Sequence, residues 1–116
     1  MSPFGFLVGT LAAGCFYAAA LAPITNHERA LVALVGIVVD WVPVITGWMV
    51  IPGDPPPVLF AIHMSFGVVG YALLAYCIVG WLRDQDRSLK TRAAFLGIWT
   101  TAYLAGVAMT AGAIVH

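Results

Sequence analysis

Asp40, His63, Tyr71 and Tyr103 are polar side chains placed inside otherwise apolar stretches of this chain. Their types suit proton and electron chemistry. A carboxyl and an imidazole can carry protons, a phenol can hydrogen-bond to either, and a histidine nitrogen is a common ligand for heme iron. Ionisable groups in such surroundings are costly, and they often mark proton relays or ligand sites. Asp40 lies in GIVVDWVPVITGW, residues 36–48, shortly before Pro43. A charged group at the centre of a spanning helix costs about 2.5–3.5 kcal/mol. Asp40 is therefore expected to point inward and to find partners. Tyr71, Thr100, Thr101 and a water near the carbonyl freed by Pro43 are the candidates. Thr101 and Tyr103 would then support Asp40 in moving a proton or tuning a cofactor.

His63 is the expected metal ligand and Tyr71 a neighbour of the same site. A heme needs one or two axial ligands at matching depth. At 1.5 Å per residue, Met109 falls about 10 Å from the same end of the chain's last apolar run. Pairs of His63 with Met109 or with His116 are the heme-binding candidates, and His27 lies at the opposite end. The plainer alternative is a hydrogen bond from His63 to a neighbouring helix. Cys15 and Cys77 form no CxxC or metal spacing, and buried free cysteines usually behave as small apolar groups. Motifs for phosphate binding, nucleophilic catalysis and zinc hydrolysis are absent, so no catalytic constellation belongs to the chain itself.

The elements that must hold these residues follow from composition. Of 116 residues, 62% are hydrophobic and 9% charged; soluble domains carry about a quarter charged residues. A spanning helix needs roughly 20 mostly apolar residues. The runs at about 4–22, 30–51, 58–82 and 93–115 meet that test, separated by PITNHER, PGDPPP and RDQDRSLKTR. They lack the alternation of a barrel wall. The expected fold is all-α: one integral membrane domain over residues 1–116, a four-transmembrane-helix up-down bundle whose short connectors make successive helices antiparallel. The first run has no Lys or Arg before it, so it is expected to remain as a helix rather than serve as a signal peptide.

Small residues at helical spacing mark the expected contact faces: Gly36, Asp40, Pro43 and Gly47; His63, Gly67, Gly70 and Cys77; and Gly97, Thr101, Ala105, Ala108, Gly112 and His116. Gly36, Gly47, Gly67, Gly70 and Gly112 are the helix-packing positions. Trp48 and Trp81 fall near run ends, where interfacial anchors belong. Trp41 and Trp99 lie deeper, where a partner or pigment is the expected neighbour.

The segments NHERALVALVGIVVDWVPVITG and IHMSFGVVGYALLAYCIVGW resemble the small four-helix bacterial membrane proteins of the HsmA type. The resemblance spans helices 2 to 4. By matching position, His27, Asp40, Gly47 and His63 carry over. The family's second histidine on helix 3 does not, since Tyr76 or Cys77 stands there, and Thr46-Gly47 follows Asp40 at a longer spacing. The resemblance implies heme b and membrane redox chemistry in a bacterial inner membrane.

Three functions are consistent with these features. The first is a small integral membrane subunit of an electron-transfer complex, holding heme b or a quinone in its bundle. The second is a cofactor-free accessory subunit that packs against larger membrane partners or copies of itself. A proton-coupled transporter is the weaker third, because no repeated half or broken-helix pair is visible. Nucleic acid is not an expected partner, for want of a basic surface.

All five Lys and Arg residues lie in the first and third connectors: Arg29, Arg83, Arg87, Lys90 and Arg92. By the positive-inside rule these connectors are cytoplasmic and both termini are outside, in the periplasm. A tag at His116 should accordingly react with an impermeant reagent on intact cells. Reaction only after permeabilisation would reverse the orientation.

Overall fold

The computed structural model describes residues 3–45 and 56–115, and the side chains of residues 8–42, 56–109 and 111. Within these, the chain is all-helical, with four α-helices and no strands. Helix α1 spans Pro3–Tyr17 and continues as a short 3-10 turn, Ala18–Leu21; α2 is Asn26–Ile45, α3 is Pro57–Leu82 and α4 is Leu89–Val115. Helix α1 packs on α2, α2 on α3, α3 on α4 and α4 back on α1, while among the described residues the backbones of the diagonal pairs stay apart.

Local chemistry sets the helix ends, and two differ from the apolar runs. Helix α2 starts at Asn26 rather than 30 because Thr25 and Glu28 form a capping box. The Glu28 N–H donates to Thr25 Oγ1 (3.2 Å), and the Thr25 N–H donates to Glu28 Oε1 (3.2 Å), satisfying two otherwise orphaned donors. The Thr25 hydroxyl and then the Thr25 backbone N–H, both acting on the Glu28 carboxyl, hold it below its usual range. The stability they add is present above the unfolded-state pKa and is lost as pH falls through the lowered folded value. Helix α4 starts at Leu89 rather than 93 because Ser88 caps it, its Oγ accepting from the Thr91 N–H (3.2 Å). At the end of α3, Asp84 turns into the left-handed region at φ 54°. The Asp84 N–H donates to the Trp81 carbonyl (3.0 Å) and the Gln85 N–H to the Gly80 carbonyl (2.7 Å), the pattern of a Schellman cap.

The first and third connectors meet at one end of the bundle. Asn26 Nδ2 donates to Asp84 (3.2 Å) and Asp86 (2.9 Å), while Arg29 donates to Asn26 Oδ1 (2.9 Å) and to the Ala22 carbonyl (3.0 Å). Arg92, at the start of α4, donates to the Ala20 carbonyl beyond α1 (2.8 Å). These contacts bring the end of α1, the start of α2, the end of α3 and the start of α4 together, which makes the bundle up-down. A Cβ at Gly80 would meet the Arg87 guanidinium, which would have to shift. That guanidinium lies over the Tyr76 ring (3.7 Å) and donates to the Tyr76 carbonyl.

The core centres on this end. Ala13, Tyr17, Ala20, Ala30, Ala33, Leu74, Cys77, Ile78, Trp81 and Phe95 are buried together. Trp81 is wholly buried, so it is not the interfacial anchor expected of it. Many large apolar side chains face outward instead, including Val58 (71% exposed), Val68 (66%) and Leu31 (64%). Alanines and a few large rings thus lie inside, while much large apolar surface faces outward. Among the described residues one helix, Pro57–Leu82, is long and apolar enough to cross a bilayer, and Val8–Leu21 is a shorter apolar helix.

The glycines separate into contact and cavity positions. A Cβ at Gly36 would come within 2.9 Å of the Tyr17 ring and 3.0 Å of Phe16 Cβ, whereas at Gly67 it would meet no atom within 4 Å. Gly36→Ala should lower thermal stability in detergent by about 1–3 kcal/mol through overpacking. Gly67→Ala should be neutral or slightly stabilising, because alanine is the better helix former. Equal melting temperatures for the two variants would show the Gly36 notch to be misplaced.

Candidate functional site

Three helices converge on one carboxyl oxygen. Helix α2 carries Asp40 on the same face as Ala33 and Gly36, both buried. From α1, the Tyr17 hydroxyl donates to Asp40 Oδ2 at 3.0 Å. From α3, the Tyr71 hydroxyl donates to the same oxygen in a short hydrogen bond. A carboxylate oxygen can accept both, having lone pairs to spare. Tyr71 is the partner expected of Asp40. The threonines are not, since Thr100 and Thr101 donate to the Leu96 and Gly97 carbonyls of their own helix (2.7 and 2.9 Å). Thr101 is also on the exposed side of α4.

Tyr17 is the partner that sequence reasoning missed. Its ring is 1% exposed. It meets Phe95 edge-on at 5.4 Å and Trp99 at 5.6 Å, with interplanar angles of 80° and 76°, and fits the notch left by Gly36. One signal was available: a phenol inside an apolar run needs a partner for its hydroxyl when buried. The Tyr71 ring lies 6.1 Å from that of Trp41.

His63 lies two turns nearer the start of α3 than Tyr71. Its Nδ1 is 2.8 Å from the carbonyl oxygen of Ala102 on α4. A carbonyl can only accept, so Nδ1 carries the proton. In the neutral ring this leaves Nε2 with its lone pair, the arrangement that orients a ligating histidine. Gly106 makes room: a Cβ there would lie 3.2 Å from His63 Cε1.

Asp40, His63, Tyr71 and Tyr103 line one cavity of about 510 Å³, a volume usual for small-molecule sites. Trp41, Phe66, Trp99 and Tyr103 supply aromatic walls, and Thr10 and Met64 also face it. Trp99 and Tyr103 stack at 5.4 Å with their planes 9° apart. Gly67 and Gly70 line the same space. A Cβ at Gly70 would sit in ordinary contact with Ile98 Cγ2 at 3.6 Å.

The other expected site residues are placed elsewhere. Met109 is buried at 3% exposure but does not line the cavity. Gly47 and His116 lie outside the described residues, as do the surroundings of Gly112 in α4. Among the described residues no three His, Cys, Asp or Glu side chains converge. No family model matches the chain, and neither does any curated protein or solved structure.

Asp40→Leu would leave two phenols without their acceptor, at about 1–3 kcal/mol for each buried unsatisfied group. Asp40→Asn keeps an acceptor oxygen of similar shape. Thermal melts in detergent should show a large loss for the leucine variant and a small one for asparagine. Similar melts for both would mean that the phenols do not depend on Asp40.

Proposed function

We propose that this chain is a small membrane-spanning subunit of a redox complex, whose bundle crosses the bilayer and whose cavity holds the ring of a quinone-type carrier. The observation that carries it is the cavity: aromatic walls, with His63 near one end and the Asp40–Tyr71 pair near the other. A flat apolar ring with oxygen atoms on opposite edges matches that distribution of surfaces. Asp40 and its phenols are the groups that would exchange protons with it. The outward-facing Leu, Val and Phe side chains of all four helices suit lipid tails or a neighbouring membrane subunit. The molecule's longest dimension, 48 Å, exceeds the hydrocarbon thickness of about 30 Å. The basic connectors that meet at one end belong on the cytoplasmic side, which puts His63 in the outer half of the bundle.

Heme b is the second reading, and His63 favours it. With Nδ1 held by the Ala102 carbonyl, Nε2 is the nitrogen that would hold the heme iron. The fit is partial, because Met109 does not reach the cavity lining. Bound there, a heme would supply one-electron transfer; His63 would orient it and the aromatic walls would exclude water.

The purified protein should co-extract a lipophilic quinone, detected by chromatography of its solvent extract, and His63→Leu should reduce the amount. Heme bands in a reduced-minus-oxidised spectrum that disappear in His63→Leu would establish the second reading instead. Absence of both quinone and heme would leave a cofactor-free accessory subunit.

A further inference from the structure

The direction of the hydrogen bonds narrows the ligand. Near one end of the cavity the His63 Nδ1–H is already given to the Ala102 carbonyl. What the neutral ring has left is the lone pair on Nε2. Near the other end both phenols have given their protons to Asp40 Oδ2. What remains there is a carboxylate and the lone pairs of the phenol oxygens. Thr10 and Tyr103 also line the cavity, but neither is free of other interactions. Apart from the indole N–H groups of Trp41 and Trp99 in the walls, the polar groups at both ends are therefore poised to accept protons in hydrogen bonds rather than to offer them.

A quinone's ring oxygens are carbonyls, which only accept. Set between His63 and Asp40, they would place lone pairs against lone pairs. The reduced ring carries an O–H on each of those oxygens and would donate at both ends. The backbone heights of the two ends differ by a comparable length. His63 and Tyr71 are eight residues apart on α3, about 12 Å along the helix axis. A para-dihydroxy ring with a hydrogen bond at each hydroxyl spans about 11 Å. Trp41 and Trp99 supply apolar surface for the ring between the two ends.

We infer that the cavity is a binding site for the dihydroxy, reduced form of a quinone-type ring, with His63 Nε2 and the Asp40 carboxylate accepting its two hydroxyl protons in hydrogen bonds. This inference rests on the proposed quinone-type ligand and specifies its redox state. It also gives the Tyr17 hydroxyl a positioning role: by donating to Oδ2 together with Tyr71, it holds Asp40 as an acceptor.

Three probes with one ring test it: 2,3-dimethyl-1,4-naphthoquinone, its hydroquinone kept reduced under anaerobic dithionite, and the dimethyl ether of that hydroquinone. Binding to the full chain in nanodiscs is read from quenching of tryptophan fluorescence. The hydroquinone should bind at least about tenfold more tightly than either other probe, as expected for two hydrogen bonds of ordinary net strength. His63→Leu removes one acceptor and should shrink that preference severalfold. Asp40→Asn can turn its amide N–H toward the ring and should shift preference toward the quinone, with a thermal melt confirming that the variant is folded. A quinone or ether that binds as tightly as the hydroquinone overturns this inference while leaving the quinone-type site in place. Failure of all three to bind removes both.

Discussion

A carboxyl group inside an apolar bundle must have its hydrogen bonds supplied from within, and Asp40 obtains them from two other helices. Tyr17 of α1 and Tyr71 of α3 donate to the same oxygen of an α2 side chain. Each phenol places demands on its own surroundings. The Tyr17 ring needs the missing Cβ of Gly36 and the edges of Phe95 and Trp99. Tyr71 brings α3 close to Trp41. The Asp40 cluster thus sets the relative heights of three helices, and through Trp99 it contacts the fourth. Buried polar networks are worth having only when every member is satisfied, and such mutual dependence disfavours sliding of one helix against another.

The two ends of the bundle are built differently. At the basic end, Asn26 ties the start of α2 to the turn after α3, and Arg92 ties the start of α4 to the turn after α1. Alanine, cysteine and a few large rings fill the space just beneath. Trp81, Tyr17 and Phe95 are almost wholly buried there. Toward the other end, Gly67 has no neighbour at its Cβ position, and the helices part around the cavity. Dense packing at one end supports an open pocket further along, because rigid helices held at the base keep their separation.

The cavity has chemical direction because its polar groups are already oriented. His63 could in principle present either ring nitrogen. The Ala102 carbonyl decides between them by taking the Nδ1 proton. Asp40 could in principle be a stray charge, but two phenols turn it into an oriented acceptor. A site held in this way needs little rearrangement when a ligand arrives. Asp40 thus serves both the packing of three helices and the lining of the cavity.

Sequence alone determined the all-helical character, the location of α3 and the placing of Asp40, His63, Tyr71 and Tyr103 on helices that face one another. Long apolar runs broken by proline and charge allow little else, and helical spacing puts Gly36 on the face of Asp40. Capping residues outside the apolar runs moved the starts of α2 and α4, since a hydropathy run ends where polarity begins while a helix ends where its backbone loses partners. Tertiary structure decided the partners. Tyr17 is distant from Asp40 in sequence and meets it only because α1 packs on α2. The choice of Tyr17 over Thr100 or Thr101 depended on rotation of each helix about its axis. Trp81 sits at the end of an apolar run, as an interfacial residue would, yet it is wholly buried in the core cluster. Periodicity along one helix fixes which residues share a face. Which face meets which neighbour, and at what height, is settled by packing between helices, and that carries no signature in any one of them.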